Sequence, residues 1–538
     1  MAGVITNIES IRPSKIRTRS LRTGEMTDLN ELCGGFLEMY GLKLGSVIKE
    51  SLIPVASHPR AHRGALQRDL RYAITCLHAV GSAAVCASGL GLGKSDVTKR
   101  MVDRSASGVQ GVGLHEILKA SGNAVAVVAA AEGERVKPGE AGGNPARFRG
   151  EVFGPEALLP ALKAKERPAD VKTIHIVSDD VDGTGKATEG LNNSVTAAVY
   201  TQSPVKPLPD EYMIKLISSR ELPGHVTTES SPEVIVDAFS NVHGVPRERL
   251  NFFCLNRKRH DAVMNEIAEK GPNFIRDKDG DVMPAVSAAL AQYVFENGYP
   301  LHGVVANVGG AAEAGLVLPV VWRGGSVLVQ FASKKALKSN NWEDRLNFDP
   351  KENSSIRKFG FEPGNQYQLT DFFDDPFADG IAVYGANTDV LWMDPYSPAN
   401  KGLIGVKFGL DGVTAHAVEI SSNGLAEILH FVFDYAENRK STERLLTPFI
   451  TGLLNLKDAK EVETHVDQML ASNPERLKRE ISQEYYLATD FVEGKIRIDE
   501  PTYASLREEG KSQRFFEADD AILASVKSKS PDWFTEEG

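Results

Sequence analysis

Three acids close a short apolar run at Thr173–Thr184, read as Thr-Ile-His-Ile-Val-Ser-Asp-Asp-Val-Asp-Gly-Thr, and a glycine and a hydroxyl follow them. Such a run with an abrupt polar end predicts a buried strand that delivers side chains to a sheet edge. Gly183 permits a tight turn across which Asp179 and Asp182 face one point, with Thr184 beside them. Gathered carboxylates repel one another, so a hard divalent cation is their natural complement. The chemistry implied is metal-assisted work on phosphate. A functionless acidic turn uses the same residue types, since Asp and Gly suit turn backbones. Whatever else converges on these acids decides between the two.

Two more apolar runs end the same way. Ala124–Ala130 leads into Ala131-Glu132-Gly133-Glu134, and Asn307-Val308-Gly309-Gly310-Ala311-Ala312-Glu313 is again strand, glycine turn and acid. Each alone fits a solvated loop or a helix start with a favourable glutamate; together they supply further metal carboxylates. After Phe252–Leu255 comes Asn256-Arg257-Lys258-Arg259-His260-Asp261, three consecutive cations entering a helix. In an acidic chain this favours an anion site, phosphate above all, over a merely solvated basic turn. Asp277-Lys278-Asp279-Gly280-Asp281 begins like a calcium loop, but twelve-residue spacing puts Ala288 where a bidentate glutamate is required. Its carboxylates could instead accept sugar hydroxyls. Gly93-Lys94-Ser95 imitates the end of a P-loop, yet Ser88 stands where the first glycine belongs. An ATPase is therefore a remote alternative.

The elements that must position these residues alternate. Helical spacing covers Leu66–Ala87 and Val97–Ala120, and Asn123–Ala131 reads as a buried strand. A helix is predicted near Pro155–Lys165, then strands at 172–178 and 194–201, before the Pro-rich link Pro204–Pro209. Beyond it the pattern predicts helices at 232–242, 258–269 and 282–296 and strands at 251–255 and 302–307. Strands at 381–385 and 403–408 precede a helix at 424–436. This is an α/β layered fold. The expected divisions are an N-terminal extension at 1–65, a metal-binding α/β lobe at 66–205 and a sugar-phosphate lobe at 206–437. A helical extension at 438–538, for packing or subunit contact, is read from the charged amphipathic runs Glu443–Leu456 and Glu475–Tyr486.

Bulk properties narrow the partners. The chain has 538 residues, 42% hydrophobic and 25% charged, as ordinary globular proteins do. A net charge of -11 argues against a general nucleic-acid binder. No apolar run approaches the roughly 18 residues of a membrane span. Cys33, Cys76, Cys86 and Cys254 are scattered, which fits reduced thiols in the cytoplasm better than disulfides or zinc. The first 25 residues are mildly basic (Arg12, Lys15, Arg17, Arg19, Arg22) but contain Glu9 and lack an apolar signal core.

In this order the motifs resemble the class II (bacterial-type) fructose-1,6-bisphosphatases, within the lithium-sensitive, metal-dependent sugar phosphatase superfamily. The resemblance runs from about Gly89 to about Leu429 and is most specific at Tyr212–Leu216, Arg259–Val263, Asp279–Val282 and Gly309–Glu313. It implies a layered αβαβα sandwich of two α/β lobes and a homo-oligomer, dimer or tetramer, acting on a sugar phosphate with Mg2+ or Mn2+. Metal ligands would be Asp103, Glu132, Asp179, Asp182 and Glu313, with Asp96 an alternative to Asp103. Catalysis would rest on Thr184, Asp179 and Glu132, with Thr184 orienting the attacking water. Substrate would meet Asp182, Gly183, Thr184, Tyr212, Arg257, Lys258, Arg259, Asp279, Gly280, Asp281 and Gly310. The family usually has Asp-Pro-Ile-Glu-Gly-Thr where this chain has Asp179–Thr184, and a glycine where this chain has Ala131. The rival reading is a haloacid-dehalogenase-type phosphatase, because Asp180-Val181-Asp182-Gly183-Thr184 matches its nucleophile motif. Asp180 would then attack phosphorus and Asp182 would act as acid. A non-catalytic sugar-phosphate-binding relative is the third reading.

Overall fold

A computed structural model describes residues 17–52, 66–89, 96–132, 171–209, 211–291, 297–339, 341–393, 403–408 and 412–435, with short pieces at 149, 152–155, 158 and 295. Several expectations lie outside the described residues: the loop at 54–64, the P-loop-like 91–95, Gly133–Glu134, most of the helix near Pro155–Lys165 and the extension 438–538. The same holds for the side chain of Asp96.

The described strands are β1 (Arg17–Ser20), β2 (Leu42–Leu52), β3 (Ala124–Ala131), β4 (Val152–Phe153), β5 (Lys172–Asp182), β6 (Val195–Thr201), β7 (Tyr212–Ser218) and β8 (Asn251–Leu255). They continue with β9 (Asn273–Asp277), β10 (Gly303–Gly310), β11 (Ser326–Ala332), β12 (Gln366–Gln368), β13 (Gly380–Ala386), β14 (Lys407–Phe408), β15 (Gly412–Ser421) and β16 (Ala426–Tyr435). They form two sheets. The larger runs β1-β2-β16-β15-β13-β6-β5-β3-β4, with β14 on β15; the smaller runs β12-β11-β7-β10-β8-β9.

Alternation along the strands builds the layers. In β5, Ile174 and Ile176 face a core shared with α1 (Thr23–Met39), α2 (Arg68–Gly89) and α3 (Asp96–Ser121). Val177 faces the other way, into a core shared with the helices Val282–Leu290, Ala311–Leu316 and Leu318–Trp322 and with the inner face of the small sheet. The outer face of that sheet is covered by the helix Pro232–His243 and by Ile267 of the helix Asp261–Ala268. The expected αβαβα order is thereby present. All nine residues of Val282–Leu290 are buried, in keeping with a middle-layer helix that is apolar but for Ser287, whose Oγ donates to Trp392 O.

Several expectations change. Residues 424–436 hold a strand: β16 pairs with β15 and β2, and its aromatic and β-branched side chains pack on both faces of the sheet. Of the strand at 403–408, only Lys407–Phe408 is one. The helix expected at 258–269 begins at Asp261, after a 3-10 turn at Lys258–His260. The helix expected at 282–296 ends at Leu290, where Ala291 turns left-handed with φ 50°. Residues 17–52, expected within an N-terminal extension, add β1 and β2 to the large sheet, and β13, β15 and β16 return from beyond residue 206 to the same sheet. Ladder pairing joins segments far apart in sequence: Ser51 Oγ donates to Glu427 Oε1 at 3.1 Å.

Candidate active site

The acids expected at two strand ends meet because β3 and β5 pair in parallel, Ala131 opposite Ser178. The Glu132 amide then donates to Ser178 O at 3.0 Å, so Glu132 and Asp179 leave adjacent strand ends. β5 does not stop at Ser178, as expected, but continues through Asp182, and its register with β6 slips between Asp179 and Asp182. In a regular strand, residues three apart face opposite sides; a bulge removes that constraint. The third acid comes from the small sheet. β10 ends at Gly310, which caps the helix Ala311–Leu316, and the Gly310 amide donates to Glu313 Oε2 at 2.8 Å.

Glu132, Asp179 and Glu313 each present a carboxylate oxygen, all within 4.8 Å of one another. Asp179 Oδ2 is buried and has no hydrogen-bond partner among the described residues. An all-oxygen donor set with one orphaned buried oxygen fits a hard divalent cation such as Mg2+ or Mn2+. Burial pushes the Asp179 carboxyl well above the ordinary range, and the Glu132 and Asp182 charges add to it. Glu313 is raised by burial and by Asp281, with Lys215 opposing.

The remaining acids flank this trio. Asp103 Oδ1 accepts from Thr184 Oγ1 at 2.8 Å, and Thr184 Oγ1 also lies 2.9 Å from Val181 O. Burial lifts the Asp103 carboxyl to about 7, against the Thr184 bond and with help from Glu132 and Asp180. Asp182 faces the 279–281 turn: its Oδ2 accepts from the Val282 amide at 3.3 Å. Burial, then Asp281 and Asp279, raise its carboxyl. Two glycines make this approach possible. Gly183 (φ 80°) and Gly280 (φ 73°) are left-handed, and a Cβ on either would sit 3.2 Å from Asn193 O.

Cations line the other side. Arg257 pairs with Asp279 at 3.5 Å, Arg259 is half-buried, and Lys258 is exposed to solvent. Tyr212 opens β7 and packs with Ile214 and Val308. Three polar residues went unread in the sequence. Lys215, buried on β7, places Nζ 2.9 Å from Asp281 Oδ2 and also pairs with Glu313 Oε2. Burial works against its charge, but Asp281 and Glu313 outweigh it and raise the pKa. Asn307, fully buried on β10, donates from Nδ2 to Asp281 Oδ2. Lys186, also buried, pairs with Asp277 at 2.5 Å. The available signal was a lone lysine or asparagine inside an apolar strand, and a lysine directly after Thr184-Gly185. Gly309 marks how closely the groups pack: a Cβ there would lie 2.0 Å from Glu313 Oε2 and 2.5 Å from Lys215 Nζ.

The five alternating layers are consistent with the α/β fold of the sugar phosphatase type. More particularly, residues 139–378 are similar to the family described as bacterial fructose-1,6-bisphosphatase, glpX-encoded. A D-fructose 1,6-bisphosphatase class 2/sedoheptulose 1,7-bisphosphatase of Microcystis aeruginosa is 28% identical over 188 residues, 34% of this chain and 51% of that protein. Fructose-1,6-bisphosphatase 1 class 2 of Escherichia coli is 28% identical over 204 residues, 37% of this chain and 57% of its own. A Haemophilus influenzae fructose-1,6-bisphosphatase class 2 is 24% identical over 173 residues, 32% and 50% of the two chains. The chain spans about half the length of the curated relatives it matches.

Proposed function

We propose that this chain hydrolyses a phosphate monoester of a sugar bisphosphate, fructose 1,6-bisphosphate or sedoheptulose 1,7-bisphosphate. One observation carries the reading. Glu132 and Asp179 at the edge of the large sheet and Glu313 on the helix that follows β10 bring oxygens within 4.8 Å of one another. The arginines, Lys215 and the acids of the 279–281 turn extend this site on the side of the small sheet.

Glu132, Asp179 and Glu313 would hold Mg2+ or Mn2+, with Asp103 and Asp182 as the acids that would flank it. A divalent ion bound there supplies Lewis acidity toward the phosphoryl oxygens and lowers the pKa of a coordinated water. Thr184 Oγ1, held by Asp103, would orient the attacking water, and Glu132 and Asp179 would be the acids beside it. Arg257, Lys258 and Arg259 take the second phosphate, and Tyr212 packs beside it. Asp279, Asp281 and Asp182 accept sugar hydroxyls, while Gly183, Gly280 and Gly310 let substrate approach the backbone. The four free cysteines support a location in the reducing cytoplasm, and a homo-oligomer remains what the family resemblance implies.

The test is turnover of fructose 1,6-bisphosphate by Asp180→Asn, with borohydride trapping of any phospho-aspartate in the wild type. Retained turnover and no trapped adduct support direct water attack. Lost turnover together with an adduct on Asp180 transfers the chain to the haloacid-dehalogenase mechanism.

A further inference from the structure

The arginine turn is wired to the sugar-binding acid by a chain of buried hydrogen bonds. His260 is fully buried, in the 3-10 turn that follows β8. Its Nδ1 lies 2.9 Å from Leu255 O and 3.3 Å from Cys254 Sγ, and its Nε2 lies 3.2 Å from Arg259 Nε. Donor and acceptor roles fix the tautomer without reference to hydrogens. A carbonyl oxygen only accepts, so Nδ1 carries the proton; a guanidinium Nε only donates, so Nε2 is the lone pair. Burial, with Arg259 and Arg257 adding, lowers the His260 pKa to about 4, in keeping with a neutral ring.

The same residue, Leu255, continues the chain through its other peptide unit. Its amide donates to Asn307 Oδ1 at 3.1 Å, and Asn307 Nδ2 donates to Asp281 Oδ2. Asn307 is aimed inward by a break in β10: the register slips between Val304 and Asn307, and Ala306 is left-handed at φ 57°. A non-glycine residue in that conformation stores strain that the surrounding structure must compensate. Arg259 has a second anchor, Nη2 to Val308 O at 3.0 Å. Two of the guanidinium's five N–H groups thus set its plane, and three lie outside these bonds.

Resting on the reading of Arg259 as a phosphate contact, we propose that His260 is its positioning residue. The Nε2 lone pair holds the guanidinium in its receiving orientation, and Leu255 and Asn307 tie that orientation to Asp281. The neutral imidazole suits the position because it donates on one side and accepts on the other without adding charge beside an arginine.

The experiment measures KM and kcat for fructose 1,6-bisphosphate with Mn2+ in full-length wild type, Arg259→Ala, His260→Leu and His260→Gln. Glutamine keeps an acceptor where Nε2 lies and loses the bond to Leu255 O; leucine loses both. R259A and H260L should raise KM about tenfold or more with kcat within about threefold, and H260Q should recover most of the loss. A role confined to packing would leave KM indifferent to the acceptor. An unchanged KM in R259A, or no turnover by the wild type, removes the phosphate reading and this inference with it. A raised KM in R259A beside a normal H260L, or H260Q as impaired as H260L, removes the inference alone. A nitrogen-15 spectrum of histidine-labelled wild type decides the acceptor role even if H260L fails to fold. The His260 resonance, identified by its loss in H260Q, should report the Nδ1-protonated tautomer. The Nε2-protonated form or an imidazolium overturns the proposal.

Discussion

Replacing Asp179 with Asn separates the metal-site reading from a merely structural one, because its two consequences have opposite signs. Three carboxylate oxygens within 4.8 Å of one another repel by about 3.5 kcal/mol per charged pair at an effective dielectric near 20. Proton uptake, in line with the raised carboxyls of Asp179 and Glu313, relieves part of this. A net gain of about 1–2 kcal/mol is therefore expected when one charge is removed in the absence of a cation. In EDTA the variant should unfold at equal or higher urea than wild type. With Mn2+ at about 100 times its Kd the order should reverse, since the wild type gains about 2.7 kcal/mol and the variant little. Phosphate release should fall at least about a thousandfold. Near-normal turnover, or a variant less stable than wild type in EDTA and equally responsive to Mn2+, would refute the reasoning.

Other perturbations follow from the same geometry. Gly309→Ala puts a methyl 2.0 Å from Glu313 Oε2, so turnover should fall about a hundredfold or more while far-ultraviolet circular dichroism is unchanged. Lys215→Met leaves Asp281 and Glu313 without their buried partner and should cost about 3 kcal/mol in urea unfolding. For pH dependence, burial and then His430 lower the His416 pKa to about 4. The unfolded state takes up that proton first, so the wild type loses stability as pH falls from about 6.5 toward 4. His416→Leu lacks this penalty, and its stability relative to wild type should improve by up to about 1.4 kcal/mol per pH unit across that window. A difference independent of pH would contradict the assignment.

The sequence exposed what local pattern encodes. The apolar runs ending in Glu132, Asp179 and Glu313 were legible because a buried strand with an acidic end is written in consecutive residues, and the alternation of elements implied a layered α/β fold. What it hid depends on partners far along the chain. Lys215 reads as one charge in an apolar strand until Asp281 and Glu313, 66 and 98 residues away, are seen to flank it. The apolar spacing at 424–436 is compatible with a helix, and pairing with β15 and β2 makes Ala426–Tyr435 a strand. β2 lies beside β16 for the same nonlocal reason, so residues 17–52 looked separate from the sheet they complete. The three-residue spacing of Asp179 and Asp182 suggested a turn, where the chain uses a bulge within β5.

The central claim is tested most directly by phosphate release from a panel of sugar bisphosphates, each assayed with Mg2+, with Mn2+ and with EDTA. The expected result is release from fructose 1,6-bisphosphate or sedoheptulose 1,7-bisphosphate that requires the divalent ion and disappears in EDTA. Release that persists in EDTA, or binding of these sugars with no release under any condition, would contradict it.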